Sequence, residues 1–365
     1  MKKYEKSIKK SIGLIKPYTP GKPIEELFRE LKLDKIIKLA SNENPLGASP
    51  KAIEAIKENL YKINRYPESS SYSLKNSLSE FISVKPENII IGNGSSEIIY
   101  LVLQCFISSN YDSVIYPFPS FLIYEILTYT VGGKSIKVNL DEKFYYNIDK
   151  ILKSITSKTK VIILCNPNNP TGTIIYKDQI NYFLRKIPDS IIIISDEAYC
   201  EYAENKDYGS MLPYINKKNI IIARTFSKLF GLAGLRIGYG IAKKEIIEIL
   251  ERIRPPFNTT LISQEAANAA LKDTDFIEKT KKINNEGKQF LYSKLKNLGI
   301  NYTETEANFI LVKFGKKTEE ICNKLLHKGI IIRKMTSFGL TDYARITIGT
   351  KQENRFFIDK LKEVI

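Results

Sequence analysis

Short runs of β-branched and mostly apolar residues return at regular intervals through this chain, and that recurrence limits its fold more than any other feature. They read "NIIIG" from 88, "SVIYP" from 113, "KSIKVN" from 134, "KVIILC" from 160, "SIIIIS" from 190, "NIIIAR" from 219 and "RIGYGIA" from 236. Several are apolar throughout, as strands are when both faces of a largely parallel sheet are covered. Helical patterns such as "SSEIIYLVLQCFI" and "KDQINYFLRKI" separate several of them. The expected class is α/β: a doubly wound, seven-stranded, mostly parallel sheet that takes ligands beyond the carboxyl ends of its strands.

The chain has 365 residues, more than the roughly 250 to 300 that one core sustains. Pro255 and Pro256 in "ERIRPPFN" break the helical pattern, since proline cannot continue a helix. Beyond them come helices and the short runs "NFILVKF", "GIIIRK" and "ARITIG". We expect residues 46–258 to form the large domain and 259–365 a smaller α+β domain. Residues 1–45, with turns at "PYTPGKP" and "NENPLG", should form an arm and part of the small domain.

The chemically unusual residues fall directly after the strands. "GNGSSE" follows the first, "PFPSF" the second, "NPNNPTG" the fourth, "DEAY" the fifth and "TFSK" the sixth. Five such strand ends define one crevice.

Composition narrows what the crevice can be. The net charge is +16, but only ten of the 56 basic residues are arginines, and no zinc-finger, helix-turn-helix or RNA-binding signature accompanies them. We read a lysine-rich composition, not a nucleic-acid-binding protein, whose affinity would fall steeply with salt. Cys105, Cys165, Cys200 and Cys322 lie far apart, so reduced thiols and no metal site are expected. The single histidine, His327, reads as a residue near a helix end, which leaves a Ser-His-Asp hydrolase without a base. The start lacks a secretory apolar stretch and no run approaches the roughly 18 apolar residues of a membrane span. A cytoplasmic protein is expected.

Lys228 stands in "RTFSKLFGLAGLRIGYG" among the residues of an interior. A buried lysine must be paired or reacted, and an imine with an aldehyde cofactor would remove its charge. "GNGSSEII" presents backbone N–H groups at a helix start, where a phosphate is stabilised. It is not a dinucleotide fingerprint, because Glu97 stands where the third glycine would be, and this argues against a nicotinamide-dependent dehydrogenase. Asp196, at the end of "SIIIISD", is a carboxylate that would need a cationic partner, and a pyridinium nitrogen would serve. Asn169 in "NPNNPTG" could donate to a ring oxygen, although a rigid proline turn explains that motif equally well.

"NPNNPTG", "SDEAY" and "SKLFGLAGLRIGY", in this order, resemble the fold type I pyridoxal-phosphate aminotransferases, and the resemblance extends over nearly the whole chain. "PYTPGKPIEEL", "KLASNENPLGASP", "RYPE" and "ARITIGT" look like the histidinol-phosphate aminotransferase branch of that group. The resemblance implies pyridoxal 5'-phosphate as cofactor. Lys228 would carry it and move the α-proton, Asp196 would hold its ring nitrogen protonated, and Asn169 and Tyr199 would bind its phenolic oxygen. Phe121 would stack on the ring. Ser95, Ser96, Ser227, Arg236 and, more weakly, Thr225 would bind its phosphate.

By the same resemblance Tyr66 of "RYPE" would reach the cofactor of a partner subunit, making the active unit a homodimer. Arg345 and Arg333 would take a substrate carboxylate or phosphate, and Asn44 would contact substrate. The implied reaction is transamination between L-histidinol phosphate, the amino donor, and the acceptor 2-oxoglutarate, in histidine biosynthesis. Nearest alternatives within the fold are an aromatic or broad-specificity aminotransferase and a threonine-phosphate decarboxylase.

Overall fold

The computed structural model describes residues 7–17, 28–29 and 35–365. Most of "PYTPGKPIEEL", and with it much of the expected arm, lies outside the described residues.

The first strand, β1 (Ile37–Leu39), joins a small sheet taken up below. The next seven are β2 (Ile89–Gly92), β3 (Ser113–Phe118), β4 (Lys134–Asn139), β5 (Thr159–Cys165), β6 (Ile192–Asp196), β7 (Ile220–Thr225) and β8 (Gly238–Ala242). They correspond to the seven β-branched runs and form one sheet in the order β2-β8-β7-β6-β5-β3-β4. Only β8 runs against its neighbours; the other pairs are parallel.

Burial follows position in the sheet. β5, β6, β7 and β8 are covered on both faces, by one apolar cluster around Phe183, Phe226 and Phe230 and another around Ile98, Val102 and Tyr124. β4, at the edge, exposes Lys134 and Lys137, and lysines there discourage pairing with another strand.

Register then places the site. Cys165 lies beside Asp196, and Asp196 beside Ala223. Thr225 and Gly92 both lie level with Gly238. The ends of β5, β6 and β7 therefore converge with the start of the helix Ser95–Phe106, which follows β2. A Cβ on Gly238 would stand 2.6 Å from the Ser95 nitrogen, so only glycine lets β8 pass this close to the helix start.

The small sheet has the order β1-β11-β12-β10-β9, with β9 (Asn301–Thr303), β10 (Phe309–Lys313), β11 (Ile330–Lys334) and β12 (Tyr343–Thr347). β1 pairs in parallel with β11, which ties the segment before residue 45 to the C-terminal elements. The helix Thr274–Asn297 and the helix Lys351–Lys362 cover this sheet through Leu291, Leu295, Phe357 and Leu361. All four cysteines are free, and His327 ends the helix Thr318–His327. Among the described residues no helix is long and apolar enough to cross a membrane.

Candidate active site

A cavity of ≈ 270 Å³ opens where the carboxyl ends of the large sheet face the small one. Lys228, Asp196, Tyr199, Asn169, Phe121 and Thr225 line it. So do Ser95, Ser96, Ser227 and Arg236, and from the small sheet Arg333 and Arg345.

Asp196 forms the floor. It is buried as the last residue of β6, accepts a hydrogen bond from the Tyr124 hydroxyl at 2.6 Å and another from the Ala198 N–H at 3.2 Å. Burial pushes its carboxyl up to about 6, against the pull of these two donors. A carboxylate in that position gains from any cation brought over it.

Lys228 hangs from the loop after β7, half-buried, with Nζ 3.3 Å from the Ser41 carbonyl oxygen and 5.6 Å from the centre of the Tyr199 ring. Burial lowers its amine to about 8, and the guanidinium of Arg345 pushes in the same direction. An amine so shifted is far more often neutral, hence nucleophilic, than a solvated lysine. The loop is held close to the N-terminal segment: Gly231, at φ +70°, would drive a Cβ to 2.0 Å from the Gly47 carbonyl oxygen. Gly234 plays no such part, since a Cβ there would meet nothing within 4 Å.

Beside the lysine loop lies a place for an anion. The cap of the helix Ser95–Phe106 is Gly94 at φ +75° and not a serine, so Ser95 and Ser96 occupy the first turn. A Cβ at Gly94 would stand 2.9 Å from Nη2 of Arg236, so glycine admits the guanidinium beside the positive helix end. Arg236 is exposed, adopts φ +52°, and donates to the Ser227 hydroxyl at 3.4 Å and the Ala233 carbonyl at 3.0 Å. Glu97 accepts from the Asn93 N–H and from Asn258, both at 2.6 Å, which fixes the turn instead of a third glycine.

The small sheet contributes the other wall. Arg333 and Arg345 are buried and directly opposed across β11 and β12. Two guanidinium groups in that register make this wall of the cavity cationic. Arg345 also donates to Asn169 Oδ1 and to the Ala40 carbonyl. Because the Asn169 oxygen is thus engaged, its amide N–H groups are left for the cavity.

Asn44 and Tyr66 are not among the residues that line the cavity, which for Tyr66 accords with an expected role toward a partner subunit. Asn44 does not line the cavity: its amide donates to the Leu229 carbonyl at 2.7 Å and to Thr280 Oγ1 at 3.3 Å, and its oxygen accepts from the Leu46 N–H at 3.0 Å. It holds the turn against the lysine loop, and Asn42 and Glu43 face the cavity instead. Tyr66 is 81% exposed and stacks on Phe257 at 4.6 Å, away from the cavity of its own chain. Sequence reasoning missed Tyr124, which sits in an apolar helical run like any core aromatic, and Asn42, which lies in the same "SNENPLG" turn that drew attention to Asn44.

Known proteins carry the same sequence pattern and the same fold. The family model for aminotransferase class I and II matches residues 34–361. A histidinol-phosphate aminotransferase of Moorella thermoacetica is 44% identical over 98% of this chain and 92% of its own length. One from Caldicellulosiruptor saccharolyticus is 44% identical over 97% of this chain and 99% of its own. The crystal structure of histidinol-phosphate aminotransferase from Sinorhizobium meliloti in complex with pyridoxal-5'-phosphate superposes with a TM-score of 0.89 at 25% identity, covering 97% of this chain and 96% of that one. With a family match over nearly all its length, a fold type I architecture and a lysine and an aspartate lining one cavity, this chain belongs to the class I and II aminotransferases.

Proposed function

We propose that the cavity holds pyridoxal 5'-phosphate and that the enzyme transfers the amino group of L-histidinol phosphate to 2-oxoglutarate, yielding imidazole-acetol phosphate and glutamate in histidine biosynthesis. The observation that carries this reading is the meeting of three unlike groups in one cavity: an amine lowered by burial, a buried carboxylate, and a helix start with an arginine beside it. The donor set fits the coenzyme. A pyridinium nitrogen would supply the cation that Asp196 lacks, and the glycine-lined end at Gly94 admits a phosphate between Arg236 and the first amides of the helix.

When bound, the coenzyme supplies an aldehyde that takes up the amino group and a ring that withdraws electrons from the substrate α-carbon. The chain's residues do the rest. Lys228 Nζ takes the α-proton and returns it on the other side of the exchange. Asp196 keeps a proton on the ring nitrogen, while Asn169 and Tyr199 donate toward the ring oxygen. Phe121 covers one ring face. Ser95, Ser96, Ser227 and Arg236 grip the phosphate, with Thr225 accepting the Ser227 N–H at 3.1 Å and so shaping that loop. Arg333 and Arg345 receive the substrate's phosphate or the acceptor's carboxylate, both anions suited to a paired guanidinium site.

The proposed active unit is a cytoplasmic homodimer in which Tyr66 reaches the partner's coenzyme. Its exposure supports this reading, as does that of the Phe257 ring stacked on it and of Tyr61, Ile63 and Tyr72 near it in the sequence, exposed apolar side chains of the kind partners cover.

Borohydride reduction of the purified enzyme is expected to fix a pyridoxyl group on the peptide carrying Lys228; recovery on a different lysine would refute the assignment. Substrate choice is read from the half-reaction: the coenzyme spectrum should convert faster with histidinol phosphate than with phenylalanine, tyrosine or threonine phosphate. Equal conversion by phenylalanine would make this a broad-specificity aminotransferase.

A further inference from the structure

Asn42 lines the cavity three residues after β1 and is buried. Its backbone adopts φ +54°, a conformation asparagine tolerates better than most residues. That backbone is held from two sides: its N–H donates to Thr347 Oγ1 at 2.9 Å, and its carbonyl accepts from Asn308 at 3.0 Å. A residue so constrained presents its side chain in a defined direction.

The direction of each proton follows from the partners. Thr347 Oγ1 already accepts the Asn42 N–H, so its own proton is free to go to Asn42 Oδ1, 3.3 Å away. That contact turns the amide nitrogen toward Tyr199, whose hydroxyl oxygen lies 2.9 Å from Nδ2. An amide nitrogen only donates. The Tyr199 oxygen must therefore accept, and its own proton has to point elsewhere. Around it stand the Phe309 ring, edge-on at 5.2 Å, the guanidinium of Arg345, the Lys228 amine, the Cys165 thiol, the Asp196 carboxylate, which already accepts from the Tyr124 hydroxyl and the Ala198 N–H, and the cavity. The cavity is where the bound coenzyme would present its phenolic oxygen as an acceptor.

We propose that Asn42 is a positioning residue: oriented by Thr347 of the small sheet, its amide fills a lone pair of the Tyr199 hydroxyl and compels that hydroxyl to donate to the coenzyme's phenolic oxygen. The proposal rests on the reading of the cavity as the coenzyme site. It gives the N-terminal segment and the end of β12 a hand in coenzyme electronics, although neither provides a group that reacts.

A donor aimed at the ring oxygen favours the state with the greatest negative charge there, which is the deprotonated state of the linkage to Lys228. Loss of the donor moves the titration of the bound coenzyme's visible absorption upward. Asn42→Gly deletes the amide and keeps the left-handed backbone at no steric cost. Its absorption midpoint is expected to rise by about half a unit, the worth of one net hydrogen bond. Thr347→Val, which removes the orienting hydroxyl, should move the midpoint the same way by less. In a Tyr199→Phe background Asn42→Gly should add nothing, because its effect passes through the tyrosine.

An unchanged midpoint overturns the proposal. So does a downward shift, which would mean that the tyrosine donates to Asn42, and so does a shift that persists without the tyrosine hydroxyl. Wild-type protein mixed with pyridoxal 5'-phosphate, beside Lys228→Ala as control, checks the underlying reading: if the wild type forms no lysine-dependent band, the coenzyme assignment falls and the proposal with it.

Discussion

Lys228→Ala is expected to lower transamination by about 10⁴-fold or more, since it removes both the attachment of the coenzyme and the group that moves the α-proton. The fold should survive. In the folded apoprotein, burial and the nearby Arg345 hold the amine at about 8, below its unfolded value of 10.5. Between those two values the unfolded chain binds the proton more readily, so the lysine costs stability in full below about 8 and nothing above 10.5. The alanine variant should therefore melt no lower than wild-type apoprotein at neutral pH, and any advantage should fade as pH rises through that window. Lys228→Arg separates charge from reactivity. It keeps a cation that cannot deprotonate, and it should be as inactive as the alanine variant. Thermal denaturation across pH, beside a single-turnover assay, checks both halves. Retained turnover in either variant would remove Lys228 from the chemistry, and a collapse in melting temperature would make it a structural residue.

The large sheet was legible because its strands carry their own signal. Isoleucine runs such as Ile191–Ile194 and Ile220–Ile222 are buried on both faces, so nothing distant has to be known to read them. The residues that line the cavity were legible for a related reason: a parallel sheet puts its odd polar residues at or just beyond strand ends, and Asp196 closes β6 while Asn169 and Lys228 lie four and three residues past β5 and β7. What escaped depends on distant partners. The three residues of β1 become a strand only because Ile330–Ile332 offers a parallel edge nearly three hundred positions away. Asn44 and Asn42 are the same residue type in the same turn, and only the fold decides that the first clamps Leu229 and the second faces Tyr199. The buried pair of Glu197 with Arg224, at 2.8 Å, escaped as well. In "SDEAY" the two acids look alike, yet Glu197 faces away from the cavity and takes the Ser195 hydroxyl and the Met211 N–H besides the arginine, at 3.0 Å each. Alternation along β6 and beyond it thus puts one carboxylate at the site and the next behind it, joining the ends of β6 and β7.

The two acids predict opposite responses to neutralisation, and Asp196→Asn gives the sharper case. In the apoprotein burial raises this carboxyl to about 6 from 3.8. An acid with a raised folded value costs nothing below its unfolded value. The cost grows as pH climbs from 3.8 and is complete above about 6, where it is worth roughly 3 kcal/mol. An amide cannot ionise and escapes this cost. It still accepts from Tyr124, but it places an N–H₂ or loses an acceptor near the Ala198 N–H, which takes back about 1 kcal/mol. Apoprotein carrying Asp196→Asn should therefore be more stable than wild type at neutral pH, with the difference vanishing as pH falls toward 4. Activity should go the other way. The amide cannot hold a proton on the coenzyme's ring nitrogen, so turnover should drop by about 10³-fold or more. Stability given up at a carboxylate and recovered only when a cation is bound marks a residue kept for function. By contrast Glu197→Gln strands Arg224 in the interior without its charge partner and should destabilise apoprotein and holoenzyme alike, by about 3 kcal/mol or more. Denaturation of the two variants side by side at neutral and acid pH decides the matter: if Asp196→Asn melts below wild type at neutral pH, the carboxylate belongs to the scaffold and the cavity has no need of a cation.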